Sequence, residues 1–313
     1  SLIAGIDAGL VAPGQDAYWK GILAESHERL PVQRLALGSG QRYLDVLAGV
    51  GFGQPRTELL WGGVVSKEAP TPYRARWATD AYGGTEALRP TRMSLARAEE
   101  IRHLKEQGVN VDKRFGEAET AEFVAARRLA DASVGGGDIR INTVGLVDAW
   151  RALDLRARGV AEMKELHILE QPAHTQPAKS LKWMSQNAAA RALEMTSGVT
   201  ASAWKGTAQG SCRVVFGACP AQGLSGLSGK TGSADFLTEE DGPSVKPGMQ
   251  LPAKLFGGVF AAANGKRYAI AVMALRVREG SRRTLELKSS APAEAALTVM
   301  RQMGVPSAPS AKK

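Results

Sequence analysis

The chain is predicted to adopt an α+β fold, an antiparallel β-sheet flanked by helices with a helical insertion, and three observations carry that prediction. Two apolar runs, Lys254–Ala263 and Lys266–Val277, are rich in strand-favouring residues and are joined by Asn264-Gly265, a strong hairpin signal. A glycine- and hydroxyl-rich segment, Gly226–Phe236, precedes them and reads as a further strand. Ala291–Met303 follows, with a proline at its start and apolar residues at helical spacing (Ala295, Leu297, Val299, Met300, Met303). Strand, hairpin and closing helix together form the expected end of an antiparallel sheet covered by helices.

The preceding elements are read in the same way. Residues 56–90 are rich in Gly, Pro, Thr and Arg with aromatics at Trp61, Tyr73, Trp77 and Tyr82, which suggests short strands or an ordered loop. Residues 91–107 and 117–131 have amphipathic helical patterns, the first stopping at Gly108. Ala178–Met195 reads as another helix, and residues 306–313, a Pro/Ser/Lys run, as a disordered tail. With 313 residues, 44% of them hydrophobic, the chain can bury one large core, so residues 1–305 are expected to form one domain. A charged fraction of 23% argues against disorder, and no apolar stretch reaches membrane-spanning length. Residues 1–11 lack the basic region and cleavage site of a signal peptide.

Lys230-Thr231-Gly232-Ser233 carries the clearest chemistry. A lysine held on a strand sets a fixed cation beside a carboxylate, and two hydroxyls donate hydrogen bonds to it. Gly232 removes a side chain where an acyl substrate lies against the strand. The competing reading is a phosphate loop, Gly-x-x-x-x-Gly-Lys-Ser/Thr. That loop needs glycine where the chain has Leu224, and a helix starting at the lysine, whereas Phe236 leads into acidic, Pro/Gly-rich sequence.

Lys-Thr-Gly followed by a hydroxyl residue is one of the three signatures of penicillin-binding proteins and serine β-lactamases. Other segments extend the likeness to the transpeptidase domain of penicillin-binding proteins. Trp204-Lys205-Gly206-Thr207-Ala208 resembles the family's Gly-Thr-Ala segment. Gly136–Thr143, with the helical run to Gly159, resembles the glycine-rich stretch that opens a long core helix. Ser26–Ala36, running on to Gly51-Phe52-Gly53, is similar to the segment carrying the Ser-x-Asn motif. The blocks stand in the family's order and cover most of the chain, apart from an insertion at about residues 56–132.

The resemblance implies acyl transfer without cofactor or metal. A lysine-activated serine attacks the carbonyl of a D-Ala-D-Ala peptide to form an acyl-enzyme, which an amine of a second stem peptide or water resolves. Backbone N–H groups near the nucleophile and beside Ser233 form the oxyanion hole in this scheme. Ser26 and Lys230 are the implied catalytic residues, and Thr231, Gly232, Ser233 and Glu28 the implied substrate-binding ones. Implied ligands are peptidoglycan stem peptides and β-lactam antibiotics, with cell-envelope proteins as further partners. The implied location is the periplasm or the outer face of the bacterial cytoplasmic membrane, any membrane association running through an anchor N-terminal to this sequence.

Two departures from the family pattern are visible. The family's Ser-x-x-Lys motif supplies the nucleophile and should precede every block named above; Ser1–Val11 resembles the helix that follows it, so the nucleophile is expected upstream of residue 1. At the middle motif Glu28 replaces the asparagine, and an ionised carboxylate only accepts hydrogen bonds where an amide also donates. Literal matches elsewhere (Ser202–Lys205, Ser310–Lys313, Ser185–Asn187) stand out of order and are short enough to arise by chance. A catalytically silent scaffold of the same fold, serving cell-envelope assembly, is therefore an alternative, as is a D,D-carboxypeptidase or β-lactamase. The intact Lys230–Ser233 segment favours an enzyme, since a scaffold has no use for a carboxylate pocket.

The remaining features are less specific. The net charge of +9 comes from 40 basic and 31 acidic residues, and arginines at 74, 76, 89, 92, 97, 127 and 128 alternate with glutamates. Without a nucleic-acid motif this reads as a solvated basic surface, compatible with anionic cell-wall polymer and not with nucleic acid as partner. Gly217 allows a turn between Cys212 and Cys219, so a small disulfide-closed loop is expected in the oxidising periplasm that the resemblance implies, with two reduced thiols as the alternative. His27, His103, His167 and His174 stand apart in sequence and suggest no metal site.

Overall fold

The computed structural model describes residues 1–26, 28–51, 88–135, 143–164, 178–236, 251–275, 278–279, 283–284 and 290–305. Its helices are Leu2–Asp7 (α1), Asp16–Glu25 (α2), Leu30–Ser39 (α3), Gln41–Val50 (α4), Leu95–Glu106 (α5), Val111–Ser133 (α6), Thr143–Ala157 (α7), Gln186–Thr196 (α8), Gln209–Phe216 (α9) and Ala291–Gln302 (α10). The strands are Glu162–Met163 (β1), Lys179–Ser180 (β2), Ser228–Phe236 (β3), Leu251–Ala261 (β4), Arg267–Leu275 (β5), Arg278–Glu279 (β6) and Arg283–Thr284 (β7). The chain divides into two compact units, one made of residues 1–13 and 28–192, the other of residues 14–27 and 193–313. No helix among the described residues is long and apolar enough to cross a membrane.

The first unit is helical apart from the short antiparallel pair of β1 and β2. The expected helices at 91–107 and 117–131 form as α5 and α6. Ser94 Oγ caps α5 by accepting from Arg97 N–H at 3.2 Å, and Asn110 Oδ1 caps α6 by accepting from Lys113 N–H at 3.0 Å. Gly116, at φ 81°, breaks the first turn of α6 from the rest, which is why the regular pattern begins at residue 117. Their apolar faces (Leu95, Ala98, Ile101, Phe123, Ala126, Leu129) share one buried core with Ala4, Ala36, Tyr43 and Val46 of α1, α3 and α4. The arginines on the outer side are paired: Arg97 with Glu100 and Glu119, Arg102 with Glu99 and Glu106. Such exposed pairs contribute little stability. They make this part of the basic surface a solvated, charge-balanced one. The sequence features at 56–87 and 136–142 lie outside the described residues.

The second unit holds the sheet. Strands β3, β4 and β5 form an antiparallel sheet in that order, with Ser228 opposite Val259 and Ala261 opposite Arg267. Helices α9 and α10 bring Cys212, Val215, Ala296, Leu297 and Met300 into one core with Phe256 and Phe260, both buried. Burying a phenylalanine is worth roughly 1.5–3 kcal/mol, so these two aromatics fix which face of β4 is covered. The disulfide Cys212–Cys219 is formed and ties α9 to the segment leading into β3.

Two boundaries differ from the sequence expectation. The hairpin ladder ends at Ala261 and resumes at Arg267, leaving a longer loop than a bare Asn-Gly turn. Ala263 N–H is diverted to the Met303 carbonyl at the end of α10, at 3.4 Å, and Asn264 Oδ1 accepts from Lys266 N–H at 2.9 Å. The helix expected from Ala178 starts at Gln186, because residues 179–180 pair with β1 and Ser185 Oγ accepts from Ala188 N–H at 3.0 Å as a cap.

Candidate functional site

Strand β3 is an unusual strand in composition, since Ser228-Gly229-Lys230-Thr231-Gly232-Ser233 contains few residues with strand preference. It is held extended by β4, and glycines allow the close approach. A Cβ at Gly258 would lie 2.5 Å from the Ser228 carbonyl oxygen, and one at Gly229 would lie 3.0 Å from the Gly257 carbonyl oxygen. The strand lies at one edge of the three-stranded sheet. Side chains alternate along it, so Lys230 and Gly232 point to one face and Thr231 and Ser233 to the other.

On the first face Lys230 Nζ donates a hydrogen bond to Ser26 Oγ, joining residues 204 positions apart in sequence. Ser26 ends α2 in a left-handed conformation at φ 58°, which a serine adopts only at some cost. Its backbone N–H still bonds the Ile22 carbonyl at 3.1 Å, so the helix end is satisfied while the hydroxyl projects, exposed, toward the lysine. Lys230 is half-buried, and loss of hydration pushes its pKa down from 10.5 to about 8. A lysine so adjusted can exchange a proton near neutral pH as well as attract an anion.

On the second face Thr231 Oγ1 shares a hydrogen bond with Thr207 Oγ1 at 2.7 Å, and Lys254 Nζ donates to Ser233 Oγ at 2.8 Å. Thr207 follows Gly206, which only glycine can occupy: a Cβ there would lie 2.4 Å from the carbonyl oxygens of Gly198 and Val199. Gly232 is different. It is exposed, and a Cβ added to it would meet nothing closer than Leu255 at 3.6 Å, an ordinary contact.

Of the residues singled out from sequence, Ser26, Lys230, Thr231, Gly232 and Ser233 therefore fall within one unit around one strand. Glu28 is exposed in the connection between α2 and α3 and is counted with the other unit. Ser202 and Lys205 lie in a turn, with Lys205 at φ 49° and paired to Glu25 at 3.5 Å. Ser185 is a helix cap and Ser310 lies outside the described residues. Sequence reasoning missed Lys254, whose place directly opposite Ser233 comes from the β3–β4 register, and that register leaves no local sequence signal. It noted the segment containing Thr207 without assigning that residue a contact.

Comparison with solved structures finds similarity at low identity. Penicillin-binding protein 3 of Mycobacterium tuberculosis, complexed with ampicillin, is similar to this chain with a TM-score of 0.51 at 15% identity, over 94% of this chain and 53% of that one. The same protein complexed with aztreonam gives 0.49 at 17% identity, over 93% and 52%. The transpeptidase domain of a D,D-transpeptidase from Legionella pneumophila gives 0.44 at 13%, over 96% and 72%. The chain thus spans about half the length of the mycobacterial protein that it matches. No protein-family model and no curated protein matches its sequence. The fold is that of the penicillin-binding transpeptidase domain, helix-rich with an antiparallel sheet.

Proposed function

We propose that this chain is the substrate-binding part of a peptidoglycan D,D-transpeptidase that works through an acyl-serine intermediate and binds β-lactams. The observation that carries the reading is the Lys230–Ser26 hydrogen bond, which sets a half-buried lysine beside a serine hydroxyl at the edge strand of a penicillin-binding fold. In the proposed mechanism the substrate's terminal carboxylate lies along the edge of β3, held by Thr231 and Ser233 with Lys230 supplying charge. Ser26 and Lys230 pass a proton between the leaving amine and the attacking serine. Gly232 supports this reading independently. The fold has room for a side chain there, so the absence of one serves something that approaches from outside. The nucleophile is assigned to a serine N-terminal to Ser1, in the periplasm or on the outer face of the cytoplasmic membrane.

A silent scaffold of the same fold is the second reading, and exposed Glu28 in place of an amide favours it. Labelling the native full-length polypeptide with fluorescent penicillin, followed by peptide mapping, separates the two. Label on a serine N-terminal to Ser1 is the expected result. Label on Ser202 overturns the assignment of the nucleophile, and absence of label in folded protein leaves the scaffold.

A further inference from the structure

Ser233 and Lys254 occupy directly opposed positions of β3 and β4, so their side chains leave the sheet on the same face, and Lys254 Nζ lies 2.8 Å from Ser233 Oγ. A lysine ammonium carries three donors and no acceptor, so in this bond Ser233 must be the acceptor. A serine hydroxyl has one proton and two lone pairs. With one lone pair engaged by Lys254, the proton is left to point away from β4. Ser233 is exposed, and away from β4 is the open edge of the sheet.

We propose that Lys254 is a positioning residue for carboxylate recognition: it fixes Ser233 as an outward hydrogen-bond donor and strengthens that donor by polarising the hydroxyl. The proposal rests on the reading that the β3 edge holds a substrate carboxylate. Lys230 on one face and Lys254 on the other then bracket Thr231–Ser233 with positive charge, and the site selects ligands ending in a free carboxylate over the same ligands ending in an amide. A neutral amide loses both the charge and one acceptor arrangement that the outward hydroxyls present. Were Lys254 only a surface side chain resting on the nearest hydroxyl, its removal would cost carboxylate and amide ligands alike.

The test is a binding titration, followed by NMR shifts, of N-acetyl-D-alanyl-D-alanine and its C-terminal amide into the folded 313-residue chain. Lys254→Met should weaken the carboxylate ligand about tenfold and leave the amide within about twofold, as expected when a charge-assisted bond reverts to a neutral one. Lys254→Arg should restore most of the preference. In the Ser233→Ala background, adding Lys254→Met should bring no further loss, because Lys254 acts through that hydroxyl. Additive losses overturn the proposal in favour of a direct contact between Lys254 and the ligand, and equal losses for both ligands reduce the residue to a structural role. If the unaltered chain does not prefer the carboxylate, or Lys230→Met leaves that preference intact, the carboxylate site itself is refuted and this proposal falls with it. If Lys230→Met abolishes the preference and Lys254→Met does not, only the role of Lys254 is refuted.

Discussion

Thr207 holds Thr231 by a hydroxyl–hydroxyl hydrogen bond of 2.7 Å while its backbone N–H bonds the Ala24 carbonyl at 3.1 Å. One residue thus joins the end of α2, two positions before Ser26, to the strand that carries Lys230. The relative placement of Ser26 and Lys230 depends on this joint as much as on their own contact.

Replacing Thr207 by valine keeps the shape and the backbone bond and removes the hydroxyl. A loss of about 1 kcal/mol in folding free energy is expected, the usual net worth of a neutral hydrogen bond. Penicillin acylation of the full-length protein should slow about tenfold, since a misplacement of even an ångström is costly to a positioned reaction. Thr207→Ser should behave like the unaltered protein. Equal acylation rates for Thr207→Val and the unaltered protein would show that the joint does not position the site.

Gly232 and Gly258 make a contrasting pair. Gly232→Ala meets only Leu255 at 3.6 Å and should raise stability by about 0.5–1 kcal/mol through the lost freedom of the unfolded chain. The same change should sharply reduce penicillin labelling. Gly258→Ala drives a Cβ to 2.5 Å from the Ser228 carbonyl oxygen and should destabilise the unit. Urea denaturation and labelling, run side by side on both variants, read the two effects separately.

Burial holds the Lys230 pKa at about 8 rather than 10.5, which fixes the direction of two pH profiles. The unfolded chain binds this proton more tightly than the folded one, so the lysine's contribution makes the protein less stable below about pH 8, and stability recovers as pH rises toward 10.5. Affinity for a carboxylate ligand runs the other way, holding while Lys230 is charged and falling as pH passes about 8. In Lys230→Arg the fall in affinity should disappear from this range, because a guanidinium stays charged. Ligand titrations at several pH values decide it; an unchanged profile in the arginine variant would assign the titration to another group.

The disulfide Cys212–Cys219 closes a short loop, with a sequence separation of 7. Constraining a loop of that size is worth about 2 kcal/mol in the chain-entropy account. Cys212→Ala/Cys219→Ala should lower the unfolding free energy by that amount, read in urea denaturation as a lower midpoint. Titration of the native, unreduced protein with a thiol reagent should find neither cysteine reactive.

The sheet and its closing helix were legible because their signals are local: the apolar, strand-favouring runs of β4 and β5, the Asn264-Gly265 turn, and Pro292 at the head of α10. Lys230 to Ser233 were legible because few other uses exist for that residue order. The end of α8 that begins at Gln186 was not, since Leu181 and Met184 are buried whether the preceding residues are helix or strand, and burial alone does not choose. Lys254 and Thr207 were missed for a different reason. Their roles arise from register and from a contact across 24 positions, neither of which leaves a local pattern. Ser26 could be named from sequence, but its left-handed backbone could not, because a serine there runs against conformational preference.

The division of the chain has a consequence for how the molecule is made. Residues 14–27 belong with residues 193–313, so α2 can bury Trp19 and Ile22 only after the intervening residues 28–192 have been made. Closing so long a loop is entropically slow, and contacts of this range lengthen folding times. Until residues 197–200, which pack against it, have been made, α2 with Ser26 at its end lacks that partner. Removing residues from 193 onward would therefore strand α2 and Ser26 as surely as deleting them.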